Sequence, residues 1–135
     1  MTMLAADIKE LMDTHNLRLS VAESITTGNL QAAIGSVSGS STYFEGGMTV
    51  YSRQQKVLLL GVNDEHAKEC NSVSARVAEE LARGVCLKYD TDIGVGTTGY
   101  AESYPEENIN VPHGYFAIWR RTLRLQQGKL LQPGA

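Results

Sequence analysis

Segments of helical period alternate along this chain with apolar runs only four or five residues long, and that alternation restricts the fold more than any other feature. Leu4, Ile8, Leu11 and Met12 recur at helical spacing and set a helix over residues 4–15. Residues 18–22 (RLSVA) read as a short strand, 29–36 as a second helix and 47–51 (GMTVY) as another strand. The intervening SVSGSS, residues 36–41, is a loop by composition. Ser52 with Gln55 forms a capping-box signature for a helix that ends at Gly61. Asp64 starts a short helical turn, and Ser74 caps a longer helix with Val77, Leu81 and Val85 on one face. Residues 93–97 and 115–119 complete the strands. Short strands separated by helices predict an α/β sandwich.

The 135 residues, 42% of them hydrophobic, are one domain's worth of chain with enough apolar surface for a real core. Residues 1–120 carry the pattern, whereas 121–135 (RTLRLQQGKLLQPGA) lack a sustained period and read as a loose tail or a shortened end of the same domain. A net charge of −3 argues against a nucleic-acid binder held by a basic face. Cys70 and Cys86 are too few for a disulfide framework, lack metal-type spacing and read as small buried hydrophobes. No apolar run reaches membrane-spanning length, and the N-terminus lacks a basic stretch followed by an apolar one. A soluble protein of a reducing, cytoplasmic compartment is expected, with no membrane and no nucleic acid among its partners.

Polar clusters fall just after strands: Ser24 to Gly28, Tyr51 to Lys56, and Thr97 to Gly99. In open α/β sheets the ligand crevice lies at the carboxyl ends of strands, so three clusters at three such ends can converge. A serine hydroxyl attacks poorly unless a base removes its proton. None of His15, His66 and His113 sits in a triad context, and a G-x-S-x-G elbow is absent. Lysine is the remaining base type, and Lys56 stands in the first turn or so of a helix that begins at a strand end. Burial beside Tyr51 and a helix N-terminus both disfavour the ammonium form, so a neutral amine there can take the proton of Ser24. The turn at Thr26, Thr27 and Gly28 supplies main-chain N–H groups suited to an oxyanion or a phosphate, and Gly28 permits close approach. Each cluster also has an ordinary explanation. Ser24 and its neighbours can simply cap a helix, Lys56 can be a solvated surface lysine, and Tyr51 can cover the core edge. Glu23 suits the following helix N-terminus, and Thr97-Thr98-Gly99 suits a strand end and turn.

Taken together the motifs resemble the C-terminal domain of the CinA family, the nicotinamide-nucleotide amidase (PncC-like) type. That family's A-E-S-C-T-G-G is matched by Ala22 to Gly28, and its G-S-S-x-x-F-x-x-G by Gly39 to Gly47. Its Y-S-N-E-x-K-x-x-x-L-G-V is matched by Tyr51 to Val62, V-S-x-x-V-A by Val73 to Ala78, and T-G-x-A by Thr98 to Ala101. The resemblance covers about residues 4–119 in the same order and implies a three-layer-type α/β sandwich. It also implies an amidohydrolase that converts nicotinamide mononucleotide to the nicotinate nucleotide and ammonia, a step of pyridine-nucleotide (NAD) recycling that needs no metal or other cofactor. Ser24 would be the nucleophile and Lys56 the general base, with Tyr51 assisting proton transfer or orienting Lys56. Glu23, Thr26, Thr27, Gly28, Thr98 and Gly99 would bind the substrate. A nucleotide or another amide is the expected small-molecule partner, and the helix faces leave room for a homodimer.

Three departures shape the expectation. Thr27 replaces a family glycine, Glu102 to Glu107 (ESYPEE) replaces a glycine-rich loop, and the family's later G-D-R element has no counterpart. They define two alternatives: a catalytically inactive paralogue acting as a ligand-binding or partner module, and an amidase for a less anionic amide, if Glu102, Glu106 and Glu107 face the substrate.

Overall fold

A computed structural model of the protein describes residues 2–121 and 126–131. Five strands form one mixed sheet, in the order β2-β1-β3-β4-β5. They are β1 (Leu19–Glu23), β2 (Phe44–Thr49), β3 (Ile93–Tyr100), β4 (His113–Arg120) and β5 (Gln126–Leu131). Central β1 runs parallel to both β2 and β3, while β3–β4 and β4–β5 are antiparallel. The helices are α1 (Thr2–His15), α2 (Asn29–Gly35), α3 (Arg53–Leu60), α4 (Asp64–Glu69) and α5 (Ala75–Tyr89).

The pleat of β1 decides which helices lie on which face, because successive side chains point to opposite sides. Leu19 and Val21 join Ile8 and Met12 of α1 and Leu30 and Ile34 of α2 in one buried cluster. Ala22, facing the other way, packs with Leu60, Ala67, Val77, Leu81 and Val85 from α3, α4 and α5. Helices therefore cover both faces of the sheet, giving the α/β sandwich that the alternating sequence pattern predicts. Among the described residues no helix is long and apolar enough to cross a membrane.

Local signals set the helix ends. The Ser52 hydroxyl accepts from Gln55 N–H, and the left-handed Gly61 (φ 71°) closes α3. Asn63 and Ser74 cap α4 and α5 in the same way. The strands depart further from expectation. β2 starts three residues earlier, at Phe44, and β3 runs on to Tyr100, so Thr97-Thr98-Gly99 lies within the strand rather than in a turn. Antiparallel pairing with β4, Thr98 opposite Tyr115 and Gly99 opposite Gly114, carries β3 past the end of the parallel ladder. Residues 126–131, inside the segment read as a loose tail or a shortened end of the same domain, form an edge strand; its register on β4 is held by main-chain pairing, which leaves little trace in side-chain pattern.

Cys86 is buried, and its Sγ donates to the Thr91 carbonyl at 3.0 Å, whereas Cys70 is half-buried at the end of α4.

Candidate active site

Ser24 directly follows β1, and Lys56, the fourth residue of α3, stands at the end of the first turn of that helix, which follows β2. Because β1 and β2 are parallel neighbours, their carboxyl ends lie side by side, and the two side chains meet. Lys56 Nζ lies 2.9 Å from Ser24 Oγ. Both are buried, Ser24 6% and Lys56 1% exposed. Burial pushes the Lys56 amine down to about 8, because a dry surrounding penalises the ammonium. Nζ also donates to the Tyr51 carbonyl at 2.8 Å. Tyr51 thus meets Lys56 through its main chain, while the residue as a whole is 70% exposed.

A cavity of about 490 Å³ opens over this pair, bounded by Ser24, Thr27, Lys56, Ser72, Thr98 and Gly99 among others. The extension of β3 supplies one wall. The Thr98 hydroxyl donates to the Ser72 carbonyl at 2.6 Å, tying that wall to the turn between α4 and α5. Glu102, Glu106 and Glu107 are exposed and do not line the cavity. Among the described residues no three His, Cys, Asp or Glu side chains cluster as a metal ligand set would.

The other sequence-derived positions divide. Glu23 is fully buried beneath the sheet end, away from the cavity, accepting from Leu30 N–H at 2.9 Å and Gln31 N–H at 2.8 Å. Burial alone raises its pKa, but the hydrogen bonds from Thr26, Gln31 and Leu30 outweigh that and hold it below the ordinary value. It thereby occupies the start of α2, which is closed to a ligand. The Thr26 hydroxyl shares a 3.0 Å hydrogen bond with Thr97, whose hydroxyl also accepts from Ser24 N–H at 3.3 Å. Neither Thr26 nor Gly28 lines the cavity. Thr27 N–H donates to the Ser24 carbonyl, whereas among the described residues the N–H groups of Ile25 and Thr26 have no acceptor.

Arg53, Asn71 and Ser72 line the cavity and were not singled out from the sequence. Two signals pointed to them: Arg53 stands one helical turn before Lys56, and a polar pair sits between the end of α4 and the cap of α5.

Thr27 carries strain. Its φ of 46° is left-handed, and a β-branched residue pays about 1–2 kcal/mol there. Asn71 (φ 55°) and Ser72 (φ 62°) are also left-handed and line the same cavity, in keeping with the concentration of strained backbone at functional sites. Thr27→Gly is expected to stabilise the protein by about 0.5–1 kcal/mol, the relief of strain being partly offset by the greater freedom of the unfolded chain. Thermal melting checks this, and a lower Tm in the variant would refute the strain argument.

The family model described as the CinA C-terminal domain matches residues 1–129. A CinA-like protein of Picosynechococcus sp. is 47% identical over 94 residues, which cover 70% of this chain and 22% of that protein. One from Microcystis aeruginosa is 43% identical, with 92% of this chain and 34% of that protein covered. The chain thus spans between about a fifth and a third of the length of these curated relatives. Among solved structures, the competence damage-inducible protein A of Klebsiella pneumoniae superposes with a TM-score of 0.91 at 25% identity, over 98% of this chain and 83% of that one. A CinA superfamily protein of Escherichia coli has a TM-score of 0.89 at 24% identity, covering 97% and 76%.

Proposed function

The chain belongs to the CinA C-terminal domain family, and on that premise we propose that it is a metal-independent amidohydrolase acting on nicotinamide mononucleotide or a closely related amide by a serine–lysine mechanism. The observation that carries this reading is the buried 2.9 Å contact between Lys56 Nζ and Ser24 Oγ. With Lys56 as ammonium, Nζ donates to Oγ. Once neutral, it keeps its donation to the Tyr51 carbonyl and turns its lone pair to the serine, so that Ser24 Oγ–H donates to Nζ.

Attack of Oγ on the carboxamide carbon moves the serine proton to Lys56 and the carbonyl electron pair to oxygen. The unpaired N–H group of Ile25, a residue of the cavity lining, receives that oxyanion, such a donor being worth on the order of 3 kcal/mol. Lys56 returns the proton to the departing nitrogen, and ammonia leaves with an acyl-serine behind. A water that gives its proton to Lys56 then attacks the acyl carbon, and the proton returns to Ser24 as the carboxylate product forms.

The purified protein is expected to release ammonia from nicotinamide mononucleotide, with kcat/KM rising with pH and levelling above about 8 as Lys56 loses its proton. Ser24→Ala should lower the rate by about 10⁴- to 10⁶-fold, as expected on loss of a nucleophilic serine. Ammonia release that persists in Ser24→Ala would refute the mechanism. Tight nucleotide binding with no turnover in the unaltered protein would instead assign it as a ligand-binding module.

A further inference from the structure

Arg53 and Lys56 are the two cationic side chains lining the cavity, and no carboxylate lines it among the described residues. The two stand three positions apart on α3, which puts their Cβ atoms about 5–6 Å apart on one helix face. Lys56 turns inward to Ser24, and Arg53 stands at the rim. There Arg53, Asn71 and Ser72 form a wall shared with a second, polar hollow of about 260 Å³, which Lys68 also lines. The polar groups on this wall are underused. Arg53 Nε is buried and lies 3.3 Å from Asp64 Oδ1, but off the hydrogen-bonding direction. Among the described residues the Arg53 terminal nitrogens and the side chains of Asn71 and Ser72 have no hydrogen-bond partner. Among the described residues Asp64 is the one carboxylate paired with Arg53, and it is shared with Lys68 at 3.4 Å, so two cations divide one anion.

We infer that Arg53, with Asn71 and Ser72, forms an anion subsite that selects amides carrying a phosphate monoester or a carboxylate about one helical turn from the scissile group. Its action on amides rests on the proposed hydrolysis, whereas the subsite rests on the cationic rim. A guanidinium presents two parallel N–H donors to such a group, and charge-assisted bonds of this kind shift affinity by about 10- to 100-fold. The carboxylates of Glu102, Glu106 and Glu107 are exposed and line neither hollow.

The test compares hydrolysis of nicotinamide mononucleotide, nicotinamide riboside and the riboside bearing a 5′-carboxylate. The unaltered protein should prefer the mononucleotide to the riboside by at least about 10-fold in kcat/KM. Arg53→Gln should erase most of that preference, with the change carried by KM, and Arg53→Lys should restore part of it. An equal preference in Arg53→Gln overturns the subsite. If the carboxylate analogue follows the mononucleotide, the subsite reads charge; if it follows the riboside, it reads the phosphate. Calorimetric titration of nicotinamide mononucleotide into Ser24→Ala, with and without Arg53→Gln, separates the two claims. Arg53-dependent binding by a protein that releases no ammonia leaves the subsite standing and removes the amidase reading. Binding that is absent, or indifferent to Arg53, removes the subsite.

Discussion

Lys56→Met should lower ammonia release by about a thousandfold and at the same time raise the stability of the protein. The first effect follows from removal of the base that accepts the Ser24 proton, a contribution of about 10²–10⁴ in rate. The second follows from burial. The amine titrates near 10.5 when unfolded and about 8 when folded. Below 8 it is protonated in both states, and the fold carries the whole cost of a buried ammonium, about 3 kcal/mol at roughly 1.4 kcal/mol per pH unit. Between 8 and 10.5 the unfolded chain holds a proton that the folded chain has released, so stability of the unaltered protein rises with pH across that window. Methionine has a similar flexible stem and no charge. It loses the hydrogen bond to the Tyr51 carbonyl, worth about 1 kcal/mol, for a net gain of about 2 kcal/mol, or roughly 7 °C in Tm at neutral pH. The gain should shrink as the pH approaches 10.5. Melting curves at pH 7 and 10 check it. A less stable Lys56→Met protein at pH 7 would show that the lysine is held for structure, and a trade of stability for activity would be excluded.

Gly94→Ala should cost about 3 kcal/mol or more, although it adds one methyl group. A Cβ at Gly94 would overlap the Ala82 carbonyl oxygen of α5 and lie 2.8 Å from Cys86 Cβ; at Gly96 it would lie 2.5 Å from the Ala78 carbonyl oxygen. Helix α5 rests directly on the main chain of β3, and the obstructing atoms are largely backbone, which cannot rotate away. The cost reaches the site as well, because Ser72 and Val73 of the cavity wall immediately precede α5 and Ser72 is tied to Thr98 of β3. Denaturant titration against Leu58→Ala, at a position 75% exposed, is the check. Similar midpoints for the two variants would mean that α5 can lift off β3 at little cost.

Features decided within a few residues were legible in the sequence. Ser52, Gln55 and Gly61 bound α3 because capping acts over three or four positions, and the same holds for Ser74 and α5. The placement of Ser24 and Lys56 after successive strands followed from the alternation of helix and strand, and resemblance to a family motif added the order of the parts. Glu23 was legible only in part. Its carboxylate was expected to favour the next helix, but the seven- and eight-residue reach to Leu30 and Gln31, which withdraws it from the cavity, depends on how the 24–28 turn folds.

The sequence by itself determined the elements, their caps and the chemical character of the strand ends, because these rest on periodicity and on contacts between near neighbours. Tertiary structure alone decided that β1 and β2 lie side by side, which places an amine 2.9 Å from a hydroxyl 32 residues away in sequence. It also decided that β4 extends β3 into a cavity wall, that β5 joins the sheet edge, and that Arg53 shares a rim with Asn71 and Ser72. The physical reason is the same in each case: strand order and register are set by long-range pairing and by burial of both sheet faces, and local propensity carries no record of either.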